Sequence, residues 1–274
     1  IRFRRPTSAQ LSRAVKADKI SVVEPTQPLR LARQSKNNWE ARTFVPASFW
    51  KQKEEKMYQT ILFDLDGTLT NSELGITNSV AYALGKYGIE VPDKKALRVF
   101  IGPPLQDSFE RFYGFSKEEC LKAIDYYHEY FSEKGLYENE VYPGIPDLLA
   151  SLKQAGKQLI VATSKPEEFS IQILKHFGLY DYFDFVAGAT MDRKRSKKSD
   201  VIQYALEQNQ ITDLAHTIMI GGREHDVLGA QAQKLDSIGV LYGFGSREEL
   251  EEAGATYIVQ EVGEIAKIIN IQKA

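Results

Sequence analysis

The residues Thr60-Ile61-Leu62-Phe63-Asp64-Leu65-Asp66-Gly67-Thr68-Leu69 decide how this 274-residue chain is read. An apolar run of the kind that fills a buried strand ends in two carboxylates two residues apart, and Gly67 then turns the chain. Side chains at i and i+2 of a strand share a face, so the spacing predicts that Asp64 and Asp66 project into one crevice. Open α/β sheets bind their ligands at that carboxyl end. Two carboxylates held together repel each other, and at the end of an apolar strand they call for a cation. Mg²⁺ suits the position, because it takes hard oxygen ligands from one or two carboxylates and a phosphate. A carboxylate can attack phosphorus to give an aspartyl-phosphate. The second carboxyl can protonate the leaving oxygen and then activate water. The bland alternative is a surface turn that happens to hold two Asp.

The string Phe-Asp-Leu-Asp-Gly-Thr-Leu resembles the first motif of the haloacid dehalogenase superfamily, in its phosphatase branch. The resemblance implies that Asp64 is the nucleophile and Asp66 the acid/base, with Mg²⁺ as cofactor. Dehalogenases lack the second Asp and phosphonate hydrolases replace it with a small residue, so Asp66 argues against both relatives. A sugar-phosphate mutase shares both carboxylates and stays open.

A second apolar strand, Leu159-Ile160-Val161-Ala162, ends in Thr163-Ser164-Lys165-Pro166 ahead of a helix. A hydroxyl beside the N–H groups of a turn suits a phosphoryl oxygen. This resembles the second motif, with Thr163 and Ser164 as phosphate contacts; read alone, it would be a helix cap. A fixed cation is wanted near a transferred phosphoryl group. In the run Arg193-Lys194-Arg195-Ser196-Lys197-Lys198-Ser199-Asp200-Val201-Ile202, the resemblance selects Lys198, with Lys197 as second choice. Such a run is otherwise a solvated face. The fourth motif is normally Gly-Asp after a strand with another Asp four residues on, but this chain reads Ile220-Gly221-Gly222-Arg223-Glu224-His225-Asp226. Gly222 stands where a metal-binding Asp is expected. The metal set is therefore read as Asp64, Asp66 and Asp226, and activity as weakened.

From Ser72 to about Glu140 the apolar period is helical: Ile76, Val80, Ala83, Leu84 and Tyr87, then Leu97, Phe100 and Ile101. Ser116-Lys117-Glu118-Glu119 is a capping box opening a helix that runs to Gly135. This insert resembles the superfamily's helical cap, and Phe100-Ile101-Gly102-Pro103-Pro104-Leu105 resembles the phosphoglycolate phosphatase-like subgroup. After Val141-Tyr142-Pro143-Gly144, strands alternate with helices. They are expected at 158–162, 183–186, 217–220, 237–241 and 256–259, with helices at 148–153, 167–176, 201–208, from about 226, 247–252 and 263–269. The alternation predicts an α/β fold, a Rossmann-like doubly wound parallel sheet with an all-helical insert. Residues 57–71 and 141–274 form the core and 72–140 the cap.

Residues 1–56 carry 13 Lys and Arg against 5 Asp and Glu, a net +8, while the remaining 22 and 32 give −10. This basic stretch reads as a disordered or non-native extension, with Met57 as the expected start and nucleic-acid binding as the less favoured reading. A purine-rich coding run for Lys53-Glu54-Glu55 would support that start. A single Cys, Cys120, excludes an internal disulfide and fits a reducing, cytoplasmic location. No apolar run is long enough for a membrane span. The four His (His128, His176, His216, His225) lack zinc-site spacing. The substrate is expected to be a small phosphorylated metabolite, with phosphoglycolate or a nucleoside 5′-monophosphate suggested by the subgroup. Arg98, Arg111 and Lys165 are candidate anion contacts. A phosphate-binding protein without turnover is the competing reading, resting on Gly222 alone.

Overall fold

The computed structural model describes residues 56–192 and 194–269. The readings made of residues 1–55 lie outside that range. Strand β1 (Thr60–Phe63) is central in a six-stranded sheet with β4 (Gln158–Pro166), β5 (Phe185–Ala189), β6 (Thr217–Gly221), β7 (Asp236–Val240) and β8 (Tyr257–Val259). The order is β5-β4-β1-β6-β7-β8 and every pairing is parallel. Phe63 stands level with Val161 on one side and Ile220 on the other. From β1 and β4 the chain winds one way and from β6 the other, so the switch point lies between β1 and β6, where such sheets hold ligands.

The sheet is doubly covered because its strands are apolar on both faces. Ile61, Phe63, Leu159, Val161, Ile218 and Ile220 are buried in one layer, with α4 (Ile145–Gln154), α5 (Glu167–His176) and α9 (Val262–Ile269) contributing to it. Leu62, Ile160 and Met219 are buried in the other, against α6 (Lys198–Gln208) and α7 (Glu224–Ala232). Helix α8 (Arg247–Glu252) packs Leu250 fully out of solvent.

Between β1 and β4 the chain passes through β2 (Thr70–Asn71) and returns through β3 (Glu140–Val141), and these two short strands pair antiparallel. The residues between them are helical: α1 (Glu73–Gly85), a 3₁₀ stretch Lys94–Phe100, α2 (Leu105–Tyr113) and α3 (Lys117–Tyr130). The Ser116 capping box forms, with Glu119 N–H donating to Ser116 Oγ at 3.2 Å and Ser116 N–H to Glu119 Oε2 at 2.8 Å. Two details differ from the sequence reading. The long helix changes to a π turn over Phe131–Gly135. Leu97 and Phe100, three apart, are the buried pair of the 3₁₀ segment, a spacing that a three-residue period aligns.

Candidate active site

Asp64 follows the last residue of β1 and is held there by its own N–H, which donates to Ile220 O at 2.9 Å. Its carboxylate is buried, with Oδ1 accepting from Lys198 Nζ at 2.6 Å. The same ammonium donates to Ala162 O at 3.1 Å and forms an ion pair with Asp226 Oδ1 at 2.8 Å, so it is shared between two carboxylates. Lys198 is the first residue of α6, and its burial ties that helix to the ends of β1 and β4. Lys197 takes the position before the helix, exposed and without a capping hydrogen bond from its side chain. Asp226 is also buried, and its Oδ2 accepts from Arg223 N–H at 3.1 Å, closing the first turn of α7. Gly221 makes this possible: a Cβ there would stand 2.1 Å from the Asp226 carboxyl carbon.

Asp66 lies beyond the strand, where it forms an isolated bridge with Thr70. Its Oδ2 accepts from Lys165 Nζ at 2.7 Å, and that ammonium sits 4.4 Å from the centre of the Phe131 ring, in the π turn of the insert. Thr163 and Ser164 were expected on a turn after the strand. Instead β4 continues to Pro166 through a bulge between Ala162 and Pro166, which carries Thr163, Ser164 and Lys165 to the crevice. Thr163 is buried, its Oγ1 accepting from Lys165 N–H at 3.3 Å.

Burial pushes the Asp64 carboxyl up to about 6; Lys198 pulls it down and the charges of Asp226 and Asp66 push it further up. Burial works against the charge of Lys198, but Asp226 and Asp64 together hold its ammonium above the ordinary range.

The three carboxylates expected to share a cation are not arranged as a ligand set. Among the described residues no three His, Cys, Asp or Glu side chains are grouped to hold a metal, because Lys198 occupies the space between Asp64 and Asp226. The site still fits one hard cation. Three carboxylates face two ammonium groups, and Asp66 Oδ1 and Asp226 Oδ1 are both buried without a hydrogen-bond partner. Gly222 adds no side chain, and its Cβ position is not open space: it lies 2.7 Å from Gly67 O.

Asp64, Asp66, Thr163, Ser164 and Lys165 line a cavity of about 180 Å³ whose other wall comes from the helical insert, including Phe100, Tyr127 and Phe131. Two candidate anion contacts are elsewhere. Arg98 makes a two-pronged ion pair with Glu73 at 2.7 Å, and the Arg111 guanidinium sits 5.4 Å from the Phe112 ring. Another link was not legible in the sequence. Arg223 Nε donates to Glu249 at 2.7 Å while Nη1 donates to Ile101 O, fastening the core to the insert. The aromatic wall was missed as well, since Tyr127 and Phe131 read as ordinary apolar positions of a helix.

A parallel sheet whose switch strand leads into two carboxylates, each on its own buried lysine, is an arrangement suited to phosphate-ester chemistry. The chain belongs to the haloacid dehalogenase-like hydrolase family, whose model matches residues 61–240. It is 42% identical to a 5′-nucleotidase of Pseudomonas aeruginosa over 77% of this chain and 96% of that protein. It is 38% identical to the tyrosine-protein kinase PtkA of Mycobacterium tuberculosis, over 73% and 68%. Among solved structures, a predicted phosphatase from Clostridium acetobutylicum is 55% identical with a TM-score of 0.76, covering 78% of this chain and 98% of that one.

Proposed function

We propose that the protein hydrolyses a small phosphate monoester through an aspartyl-phosphate on Asp64, with Mg²⁺ as its cation. The observation that carries this is the pairing of Asp64 with Lys198 and of Asp66 with Lys165 on one cavity. Asp64, free of its proton, attacks phosphorus and forms the P–O bond as the ester P–O bond breaks. Asp66 gives its proton to the departing alkoxide, then takes one from water as the hydroxyl attacks phosphorus and frees Asp64 and inorganic phosphate. Lys165 fixes one Asp66 oxygen, which leaves Oδ1 as the oxygen to carry the proton. Lys198 anchors Asp64 and balances phosphoryl charge, and Thr163 and Ser164 offer hydroxyls to the phosphoryl oxygens. The Asp64 carboxylate and the main-chain oxygen of Asp66 would hold Mg²⁺, leaving the Asp66 side chain for the proton; when bound, the ion neutralises charge on the phosphoryl oxygens.

The helical residues 72–140 act as a lid on the core formed by 57–71 and 141–269. Among the described residues no helix is long and apolar enough to cross a membrane; with the single Cys, this supports a cytoplasmic setting. Gly222 supports a second reading, a protein that binds phosphate esters and turns them over slowly or not at all. A Mg²⁺ titration of p-nitrophenyl phosphate hydrolysis separates the two. Mg²⁺-dependent phosphate release, abolished by Asp64→Asn, is expected; release that survives Asp64→Asn would sink the covalent mechanism. A mutase would return an isomeric sugar phosphate in place of inorganic phosphate.

A further inference from the structure

We propose that the cavity selects phosphate esters whose leaving group is uncharged and carries a flat apolar face, and rejects those bearing a second anion. This rests on the reading that the phosphoryl end lies at Asp64. The cavity of about 180 Å³ is roughly tenfold above the 10–15 Å³ that admits one water, so it has room beyond the phosphoryl group. Beyond the carboxylates the insert side of its wall is largely aromatic, with Gln106, His128, Thr190 and Ser196 as the neutral polar side chains at its edge. Tyr127 and Phe131 stack with centroids 5.3 Å apart and planes at 11°, and Phe169 meets Phe131 edge-on at 5.4 Å and 66°. Ile76 and Ile124 line the same space, and Met191, 45% exposed, does so as well.

Charge decides the rest. A carboxylate or second phosphate moved from water onto such a wall is costly unless a cation or several donors meet it. Among the described residues Lys165 is the one Lys or Arg lining the cavity, and it is committed to Asp66, while the one lining imidazole, His128, packs its ring edge-on against Tyr127 and Phe169. Other nearby cations are engaged too: Lys198 with Asp64 and Asp226, Arg223 with Glu249, and Arg195 with Glu167 at 3.1 Å, its guanidinium 3.5 Å from the Tyr204 ring. Asp107 adds a carboxylate to the lining, which repels a second anion. Of the two esters suggested by the sequence, phosphoglycolate is thereby disfavoured, while an aromatic leaving group gains stacking and apolar burial.

Benzyl phosphate and phosphoglycolate test this, since both lose a primary alkoxide and differ in ring against carboxylate. The expected kcat/KM ratio is at least about tenfold in favour of benzyl phosphate. Met191→Arg, at an exposed position, should narrow it by about tenfold through better use of phosphoglycolate. Equal or better use of phosphoglycolate by the unaltered protein would overturn the proposal while leaving the phosphatase reading intact. Calorimetric binding of benzylphosphonate and phosphonoacetate, neither of which can be hydrolysed, tests selection without turnover. Tighter binding of benzylphosphonate by about tenfold would uphold the proposal even if no ester released phosphate, an outcome that would fell only the hydrolytic reading. Equal binding, or preference for phosphonoacetate, would overturn it.

Discussion

The Cβ that Gly222 lacks would stand 2.7 Å from the main-chain oxygen of Gly67, closer than such atoms approach in folded proteins. The fourth-motif position and the turn after Asp66 are therefore in contact backbone to backbone. Any side chain at 222 must push the Gly67 turn aside. Gly222→Ala should cost about 1–3 kcal/mol, as overpacking does, read as a lower midpoint in thermal or urea unfolding. Gly222→Asp should carry that cost and the repulsion of a further carboxylate, and Mg²⁺ should return part of it, because a ligand of the native state stabilises it. A Mg²⁺ response equal in the Ala and Asp variants would mean that position 222 does not reach the cation.

Lys198→Met should be among the most destabilising single changes in the chain. It leaves the buried carboxylates of Asp64 and Asp226 facing each other without their shared ammonium. Breaking a buried ion pair from one side costs about 3–5 kcal/mol. Adding Asp226→Asn should recover part of the loss, because one of the stranded charges is gone. A double-mutant cycle by urea denaturation measures the coupling; simple additivity would contradict the shared geometry.

Acidity should separate Asp64 from its neighbours in metal-free protein. Its carboxyl is pushed from 3.8 up to about 6, chiefly by burial. Between those values the folded state binds a proton that the unfolded state has released. The stability due to this group is thus fully present below pH 3.8 and lost as pH rises through about 6. Asp64→Asn should flatten that part of the stability profile, measured by urea denaturation from pH 4 to 7. In the proposed mechanism Asp64 must be ionised to attack, and bound Mg²⁺ favours that form, so with Mg²⁺ present the fall in kcat/KM on acidification should lie at lower pH than the transition in the metal-free stability profile. An acid limb that does not move with Mg²⁺ concentration would remove Asp64 from that role.

Lys165→Met should lower kcat by about 10²-fold or more, the scale of acid/base catalysis that its partner Asp66 is assigned. Lys165→Arg should restore less than a simple charge argument suggests, since a planar guanidinium does not replace a compact ammonium between Asp66 and the Phe131 ring. A pH–rate profile belongs with the measurement. An unshifted profile with reduced protein stability would mean that Lys165 serves packing alone.

The sequence by itself determined the sheet and the place of the site. Short apolar strands alternating with 3.6-period segments have one low-energy arrangement, a doubly covered parallel sheet, and a strand ending in Asp64-Leu65-Asp66 fixes where its polar end lies. Near-neighbour chemistry was equally readable, as at the Ser116 capping box, whose two hydrogen bonds span three residues. Tertiary structure alone decided which charges meet. Lys198 lies 134 positions from Asp64 and Lys165 lies 99 from Asp66, and although the motif resemblance selects Lys198 within its basic run, no local spacing says which carboxylate either ammonium meets. It also decided that Arg98 and Arg111 turn to Glu73 and Phe112 rather than to the cavity. That position 222 is filled by the Gly67 carbonyl was likewise hidden, because a residue's spacing along the chain carries no information about the backbone that will be packed against it.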